Sequence, residues 1–470
     1  MLFNSFVFIL IYLPITFFVY FYLLHKRLVL GAKGFLVFAS LFFYSWWNIA
    51  YLPLILGSMS FNYLLGNILS NKESNIKIPK KNILILGIII NISLLAYFKY
   101  VDFFIKNFNL LFDMSINQLN LLLPLAISFF TFQQIAYLVD SYRNETKKYD
   151  FLNYAIFVTF FPQLIAGPIV YHKEIMPQLT SKWNFVKHYK NIWLGLFIFS
   201  IGLFKKNIIA DNFAIWATQG FDTVQTLTFA EAWATSLSYT FQLYFDFSGY
   251  TDMAIGAALL FNIKLPINFN SPYKALNIQE FWARWHITLS QFLKNYIYIP
   301  LGGNRKGSFR TYNNLMVTFI IGGLWHGAGW TFVFWGFLHG LALMIHRQWN
   351  QLGFKLNSIL SWFLTFNFIN IAWVFFRAKE WGDAMKILKG MFLTKPEFSY
   401  QMLLLSKQDS VYKLYIFFIL AFVIVLFAKN SAQWKEVVKP NKFYLTFILS
   451  LSLVAMYHMH KPTEFLYFNF

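Results

Sequence analysis

The sequence predicts an all-α polytopic membrane protein, because of its composition and the way its apolar residues are distributed. Of the 470 residues, 58% are hydrophobic and 12% are charged, whereas soluble domains carry roughly a quarter charged residues. Long apolar runs recur from end to end, and a run of about 20 residues crosses a bilayer as a helix. Roughly 10 to 13 membrane segments fit this length, some of them re-entrant.

The first 150 residues have the pattern of ordinary membrane spans, with uncharged centres and aromatic residues near their ends. The first apolar run lacks a basic n-region and a small-residue cleavage site, so we expect a retained helix rather than a signal peptide. The predicted spans lie at about 3–24, 34–50, 54–70, 82–101 and 120–140.

Positive charge is concentrated in alternate loops of this region. The loops that contain Lys26, Lys80 and Lys148 are basic, and the links between them carry little net positive charge. The positive-inside rule therefore predicts that these three loops are cytoplasmic and that the N-terminus lies outside. The formal net charge of +20 does not require nucleic acid, because the lysines sit in short loops where this rule expects them. We expect membrane lipid, and no nucleic acid, as a partner.

The pattern changes after Asp150, where prolines, glycines and ionisable residues interrupt the apolar runs. Irregular backbone is tolerated at membrane depth only when it is buried in protein or lines a cavity. We therefore predict one transmembrane domain over 1–470, with N-terminal spans in 1–150, a catalytic core in 151–346 and C-terminal spans in 347–470. The last part contains apolar runs at about 359–376, 412–428 and 443–459.

A histidine stands inside an uncharged run of small residues, Gly322–Gly329. An ionisable group at membrane depth is costly and is by default a functional-site hypothesis. The small residues around His326 would allow a substrate or a neighbouring backbone to come close. The alternative is a histidine that only hydrogen-bonds a neighbouring helix, and this stretch alone leaves the two interpretations open.

A second histidine, His286, lies 40 residues before His326 in a stretch rich in tryptophan. Helical spacing would put Trp282 and His286 on one face of a helix and Arg284 on another. Glu280 and Arg284 are typical of a salt-bridged rim, although direct catalysis stays open. The two histidines would face one tunnel, and a neutral imidazole there can accept a proton from an attacking hydroxyl.

We predict no metal site in this chain. Cysteine is absent, which excludes thiolate ligands, thiolate nucleophiles and disulfides. Two isolated histidines do not provide the compact ligand spacing that zinc sites show.

Two further groups of charged residues lie in the predicted core. Asp246 and Asp252 flank a Ser-Gly pair, and they would orient a histidine, bind an arginine, or cap a helix that restarts near Thr251. The glycine-rich stretch 301–310 carries three cations, Arg305, Lys306 and Arg310. It would bind anionic lipid or the phosphates of a nucleotide-like donor.

Five motifs follow one another along the chain: 160–169, Asp246–Asp252, Trp285-His286, 300–304 and 323–327. Together they resemble the membrane-bound O-acyltransferase family, and within it the bacterial alginate and peptidoglycan O-acetyltransferase branch. The resemblance covers nearly the whole chain and implies that family's helical funnel. His326 matches the position of the family's catalytic histidine, and His286 matches that of its second active-site histidine. The substrate-binding residues expected around them are Trp325, Trp285, Arg284, Asp246, Asp252, Arg305, Lys306 and Arg310.

The resemblance implies O-acetylation of a cell-envelope polysaccharide in a bacterial cytoplasmic (inner) membrane. The donor would be acetyl-CoA, used as a substrate with no permanently bound cofactor, and the partner a periplasmic or extracellular esterase-like transferase. Peptidoglycan is the first acceptor, because the lysine-rich composition is unlike that of the usual alginate producers. Alginate or another exopolysaccharide, D-alanyl transfer to teichoic acid, and a non-enzymatic channel or flippase are the alternatives.

The chain ends with an aromatic segment, Phe465–Phe470, that contains one tyrosine. An aromatic plug or interface anchor accounts for it. The alternative is an acyl relay, in which the hydroxyl of Tyr467 takes the acyl group from the tunnel and presents it to the partner. A phenol is a poor nucleophile unless a base lies close by, and His326 would be that base.

Overall fold

The computed structural model describes residues 1–71, 77–146, 150–395, 397, 400, 411–459, 463, 465 and 466. These residues form helices and connecting segments, with no β-strand among them. The all-α class is therefore confirmed. In chain order the α-helices α1 to α21 are Leu13–His25, Val29–Ser45, Leu52–Ser70, Lys80–Lys99, Val101–Phe112, Ile127–Tyr142, Phe151–Thr159, Phe161–Leu164, His172–Thr180, Tyr189–Phe204, Asp211–Thr218, Phe229–Leu260, Ile278–Arg284, Ile287–Leu293, Gly307–His326, Trp330–Gln351, Ser358–Arg377, Trp381–Leu393, Val411–Phe427, Ser431–Val437 and Lys442–Tyr457.

Five stretches of helix within the described residues are long and apolar enough to cross a membrane, or six if one bent pair counts as a single span. The five are Val7–His25, Ile49–Ser70, Lys80–Lys99, Tyr189–Thr223 and Ser358–Arg377, and the bent pair is Val411–Phe427 with Ser431–Val437. Two shorter apolar helices, α2 and α21, accompany them. The predicted count of 10 to 13 membrane segments stays a prediction, because the central region also contains helices shorter than a full membrane span.

The chain divides into two compact units, each made of several chain segments. The first comprises Met1–Gly202, Tyr250–Pro266 and Lys439–Phe470, and the second comprises Leu203–Gly249 and Ile267–Val438. The first unit takes residues from both sides of the predicted boundary at 150, and both units take residues from both sides of the one at 346. The predicted boundaries stay a prediction. Both predicted site histidines belong to the second unit.

In the first unit, the second helix begins earlier than expected. We predicted a span from residue 34, after Lys33, but α2 starts at Val29 and includes this lysine. The Lys33 ammonium is buried and donates a hydrogen bond of 2.7 Å to the Asn153 side-chain oxygen. A buried cation is tolerated when it finds such an acceptor, so the lysine did not mark the helix end.

In the second unit, α15 and α16 form a tight antiparallel hairpin around the glycine-rich run. A Cβ on Gly323 would lie 2.3 Å from the carbonyl oxygen of Phe332, and one on Gly336 would lie 2.4 Å from that of Phe319. Two backbones approach this closely only where side chains are absent. At these positions the glycines therefore allow close packing of the neighbouring helix, and do not make room for a substrate.

One predicted break is wrong. The sequence suggested an interruption at Asp246–Gly249 and a restart near Thr251, but α12 continues through both from Phe229 to Leu260. A glycine inside a helix costs only about 1 kcal/mol relative to alanine. The carboxylate of Asp246 is stabilised by an ion pair instead of by a break in the helix. Neither aspartate caps a helix here.

Candidate active site

His286 occupies an unusual backbone position between two short helices. Helix α13 ends at Arg284, and His286 has φ +42° and ψ +54° before α14 begins. Left-handed conformations of non-glycine residues cost of order 1–3 kcal/mol and persist where the surroundings fix them. Here Asn270 N donates to Arg284 O at 2.9 Å and Ile287 N donates to Asn268 O at 3.0 Å. These two bonds hold the chain on either side of His286.

This arrangement corrects the sequence interpretation of His286. We expected Trp282 and His286 on one face of a continuous helix, but the helix stops between them. Trp282 instead points towards α16, where its indole nitrogen donates to His339. The imidazole of His286 is directed by the backbone turn and not by helical spacing.

Asn268 fixes the ring of His286. Its side-chain oxygen lies 3.1 Å from His286 Nδ1, 3.2 Å from the backbone nitrogen of Thr288 and 3.0 Å from the Thr288 hydroxyl. A backbone N–H can only donate, so the Asn268 atom is the carbonyl oxygen, which can only accept. His286 Nδ1 therefore carries the proton, and in the neutral ring Nε2 is the basic nitrogen.

His326 is the last residue of α15. The helix ends there because Gly327 adopts an extended conformation, φ −162° and ψ 153°. A Cβ at Gly327 would lie 2.1 Å from the ring of Phe332, so a larger residue would displace the turn. The imidazole of His326 is 3% exposed and packs against Phe376 and Trp335, with ring centroids 4.9 and 5.3 Å away.

The two predicted histidines lie together in the second unit. Their ring centroids are 6.4 Å apart, and His286 is fully buried. Trp325 contacts both rings, at 4.9 Å from His326 and 6.1 Å from His286, and Phe247 packs edge-on against His286 at 4.8 Å. Such an aromatic wall excludes water and favours uncharged imidazoles. The arrangement suits proton transfer to or from a group held between the rings.

Trp285 and Arg284 have local partners in the structure. Trp285 is 1% exposed and packs among aromatic rings, including Phe269 and Trp373 at 5.0 Å each. The Arg284 guanidinium donates to Glu280 at 2.8 and 3.0 Å and to the carbonyl oxygen of Asn270 at 3.1 Å. Both residues therefore support the turn around His286, and their contact with a substrate stays a prediction.

Asp246 belongs to a buried ion-pair cluster. Lys206 lies 2.7 Å from Asp246 and 2.8 Å from Asp211, and the side chains of Lys206 and Asp246 are nearly inaccessible. Buried charges require such pairing, so this contact favours the structural interpretation of Asp246. Asp252 is also buried but belongs to the first unit. Substrate binding by either aspartate stays a prediction.

The predicted cationic stretch forms a tight turn that leads into the first turn of α15, where Gly307 and Arg310 lie. Gly302, Gly303 and Gly307 have φ values of +111°, +55° and +80°, which glycine adopts without strain. The side chains of Arg305, Lys306 and Arg310 are exposed. Arg310 precedes His326 by 16 residues of one helix, a rise of about 24 Å. The structure thus separates these cations from the histidine pair.

The sequence interpretation missed two residues of this site. Asn268 follows Leu265-Pro266-Ile267 in a segment with no motif, and its role depends on a turn 18 residues away. His339 was detectable, because it is a lone histidine in an apolar run, just as His326 is. It is fully buried, and its ring lies 4.7 Å from that of Trp335, which also contacts His326.

Tyr467 lies outside the described residues. The described part of the chain contains no group of three or more His, Cys, Asp or Glu side chains placed to hold a metal ion.

Known proteins similar to this chain agree on one family. Residues 138–378 match the membrane-bound O-acyltransferase family. A peptidoglycan O-acetyltransferase of Helicobacter pylori is 56% identical over 421 residues, which cover 83% of this chain and 80% of that protein. A "probable alginate O-acetylase" of Pseudomonas aeruginosa is 40% identical over 399 residues, which cover 83% of this chain and 75% of that protein.

A teichoic acid D-alanyltransferase of Bacillus subtilis is more distant, at 25% identity over 276 residues, which cover 55% of this chain and 70% of that protein. The resemblance inferred from the motifs is thereby confirmed. The chain belongs to the membrane-bound O-acyltransferase family, and it is a multi-pass membrane protein and an acyltransferase.

Proposed function

We propose that this acyltransferase moves an acetyl group from cytoplasmic acetyl-CoA across the membrane, for O-acetylation of peptidoglycan. The observation that carries the proposal is the pair of buried imidazoles, His286 and His326, with ring centroids 6.4 Å apart inside an aromatic wall. A reactive thioester needs a site that excludes water, because water would otherwise compete as the acceptor.

In the proposed reaction His326 is the general base. It takes the proton of the acceptor hydroxyl as that oxygen attacks the thioester carbonyl carbon. The new carbon–oxygen bond forms, the carbon–sulfur bond breaks, and the CoA thiolate takes the proton from the imidazolium. His326 returns to its neutral form and nothing else is consumed.

His286 orients the donor in this proposal. With Nδ1 held by Asn268, Nε2 of the neutral ring accepts a hydrogen bond. An amide N–H of the pantetheine arm supplies the matching donor, so His286 would align the thioester without taking part in proton transfer. Trp325, which packs against both rings, forms the wall of the same space.

We place the N-terminus outside the bacterial cytoplasmic membrane and the loops near Lys26, Lys80 and Lys148 in the cytoplasm, following the charge distribution. We assign the turn with Arg305, Lys306 and Arg310 to the cytoplasmic side as well, where its cations meet the phosphates of CoA. Helix α15 then leads from the donor phosphates to His326, over a rise of about 24 Å.

The C-terminal segment is the proposed exit. In the first unit, Asn4 Nδ2 donates to the carbonyl oxygen of Thr463 at 3.3 Å, and Phe465 packs against Tyr250 at 4.7 Å. The first contact ties Thr463 to the N-terminus, which our topology puts outside, and the second places Phe465 against α12. We propose that Tyr467 relays the acetyl group there to a periplasmic or extracellular esterase-like transferase, which delivers it to the polysaccharide.

Peptidoglycan is the preferred acceptor because the relative with 56% identity is named as a peptidoglycan O-acetyltransferase. Alginate or another exopolysaccharide is the second candidate, supported by the relative with 40% identity. D-Alanyl transfer has less support, since the teichoic acid D-alanyltransferase of Bacillus subtilis shares 25% identity over about half of this chain. A channel or flippase is no longer proposed, because the chain is an acyltransferase.

Reconstituted vesicles test the proposal. The purified protein would be inserted into sealed vesicles with acetyl-CoA on one side and the esterase-like transferase with peptidoglycan fragments on the other. We expect release of CoA and acetylation of the fragments on the opposite side. Acetylation of alginate oligomers but not of peptidoglycan would move the function to the second candidate, and no CoA release would refute the proposed donor.

A further inference from the structure

His339 is held in one tautomer by a tryptophan. The indole nitrogen of Trp282 lies 3.2 Å from His339 Nδ1. An indole N–H only donates, so Nδ1 accepts, and the proton of the neutral ring is on Nε2. The ring is fully buried and packs edge-on against Trp282 and Phe368, with centroids 5.0 and 5.5 Å away.

The Nε2–H group of His339 has no acceptor among the described residues. A buried donor without a partner is unusual and costs roughly 1–3 kcal/mol. Leaving this donor unmatched has no structural benefit, because Trp282 and the surrounding rings already fix the imidazole. A ligand that brings a carbonyl oxygen to this nitrogen would remove the cost.

An open groove of about 590 Å³ has Phe368 among its lining residues. Its walls come from the start of α13, from α16 and from α17, and are largely apolar. Ala342 and His346 line it from the helix face that also carries His339, one and two turns further along α16. Phe368 both lines the groove and contacts the His339 ring, so this side chain is shared by the groove wall and the packing around His339.

The groove leads from a polar end towards the histidines. His346, Asn350 and Lys355 contribute polar groups at the C-terminal end of α16. That end is tied to the start of α15, just after the cationic turn, because the Tyr312 hydroxyl donates to Gln348 at 2.8 Å. From Asn350 back to His339 the helix rises about 16 Å. The ring of Trp335 packs against the rings of both His339 and His326.

We propose that His339 is a donor-specificity residue, whose Nε2–H binds an amide carbonyl oxygen of the pantetheine arm that enters along this groove. The proposal rests on the proposed function, since it assumes a pantetheine thioester as the donor. Phe368 moves aside when the arm enters, and the hydrogen bond to His339 then favours arms that carry amides over plain alkyl thioesters.

Donor truncation tests this proposal in the detergent-purified full-length protein. Release of the free thiol would be measured with acetyl-pantetheine, which has amide carbonyls, and with S-acetyl-hexanethiol, which has none. We expect His339→Phe to lower kcat/KM about tenfold for acetyl-pantetheine and to leave it nearly unchanged for S-acetyl-hexanethiol. His339→Gln, which can accept from Trp282 and donate to the arm, should retain the preference.

An equal loss with both donors would overturn the proposal, because a purely structural role affects both alike. If His339→Phe does not fold, His339→Gln and His339→Asn give the comparison: loss of the preference by Gln also contradicts the proposal. Failure of the proposed function is separate, because the wild-type protein would then release no thiol from acetyl-pantetheine.

The groove has an independent test, because the chain contains no cysteine. Leu364 lines the groove, whereas its neighbour Phe363 does not, and their exposures are similar, 50% and 54%. We expect desulfo-CoA, an unreactive CoA analogue, to slow maleimide labelling of Leu364→Cys but not of Phe363→Cys. Protection by phosphatidylglycerol vesicles and none by desulfo-CoA would assign the groove to lipid and overturn the donor path.

Discussion

The amide of Asn268 determines which nitrogen of His286 carries the proton. Its oxygen accepts from Nδ1 of His286 and from both donors of Thr288. A neutral amide holds the tautomer without adding a charge to a site of low dielectric, where an unpaired carboxylate would be costly. The orienting residue thus acts through geometry and not through charge.

Removing that amide should affect the donor step. We expect Asn268→Leu to lower kcat roughly 10–100-fold, by analogy with the loss of a residue that orients a metal-bound histidine. Thr288→Val is the matched control, since it removes one bond to Asn268 but leaves His286 Nδ1 in place, and its effect should be small. Steady-state rates of CoA release measure both variants, and equal losses in the two would contradict an orienting role.

His326 should be the most sensitive position of the chain. We expect His326→Gln and His326→Ala to lower acetyl transfer by about 10²–10⁴-fold, because a positioned general base is lost. Gln preserves more of the packing against Trp335 and Phe376, so its thermal stability should stay closer to that of the wild type. His458→Ala, at an exposed histidine of the first unit, is the control. Near-normal transfer by His326→Gln would refute the assignment.

Tyr467 can be tested by removing one atom. Tyr467→Phe keeps the aromatic ring and loses the hydroxyl, so a plug would be unaffected whereas a relay would stop. We expect CoA release in the presence of the transferase to fall and polymer acetylation to be lost. Acetylation at the wild-type rate would leave Tyr467 as an anchor.

At the scale of helices and turns, sequence patterns succeeded where the physical signal is local. The apolar runs correctly located α3, α4, α17, α19 and α21, because each is a continuous span with polar flanks. The glycine-rich turn was also predictable, since glycine marks positive φ values. The two histidine motifs pointed to one site because an imidazole in an apolar run is unusual.

Other features could not be read from local patterns. The unbroken α12 depends on Lys206, 40 residues before Asp246, which stabilises a carboxylate that would otherwise favour a helix end. The conformation of His286 depends on backbone bonds to Asn268 and Asn270. Both effects come from residues that are distant in sequence. A short stretch of sequence therefore contains only one of the two partners of each interaction.

The cationic turn can be tested as one element. We expect neutralising Arg305, Lys306 and Arg310 together to raise KM for acetyl-CoA with little change in kcat, because the turn lies about 24 Å from His326 along α15 and would act on donor binding. The difference from the wild type should shrink as salt rises, since the contacts are exposed and screened. Neutralising Lys389 and Lys395, also exposed cations of the second unit, is the control. An unchanged KM would leave the turn as a lipid contact.

At the scale of the whole molecule, the direction of transfer depends on which side each end of α4 faces. Helix α4 has 20 residues and rises about 30 Å, which is the thickness of the hydrocarbon core. It is therefore long enough for its two ends to lie on opposite sides of the membrane. If the end near Lys80 were outside, the donor and acceptor sides of the proposed reaction would be exchanged.

Single-cysteine labelling decides this orientation, and the absence of native cysteine removes background. Lys80 is a poor site, because its ammonium donates to the carbonyl oxygens of Leu69 and Asn71 at the end of α3. Lys81→Cys, in the first turn of α4, and Ser115→Cys, in the segment after α5, are better. Both residues are exposed, and our topology puts them on opposite sides of the membrane. We expect a membrane-impermeant maleimide to label Ser115→Cys in intact cells and Lys81→Cys only after permeabilisation. The reverse pattern would place acetyl-CoA on the wrong side of the membrane for this protein, and the proposed direction of transfer would be abandoned.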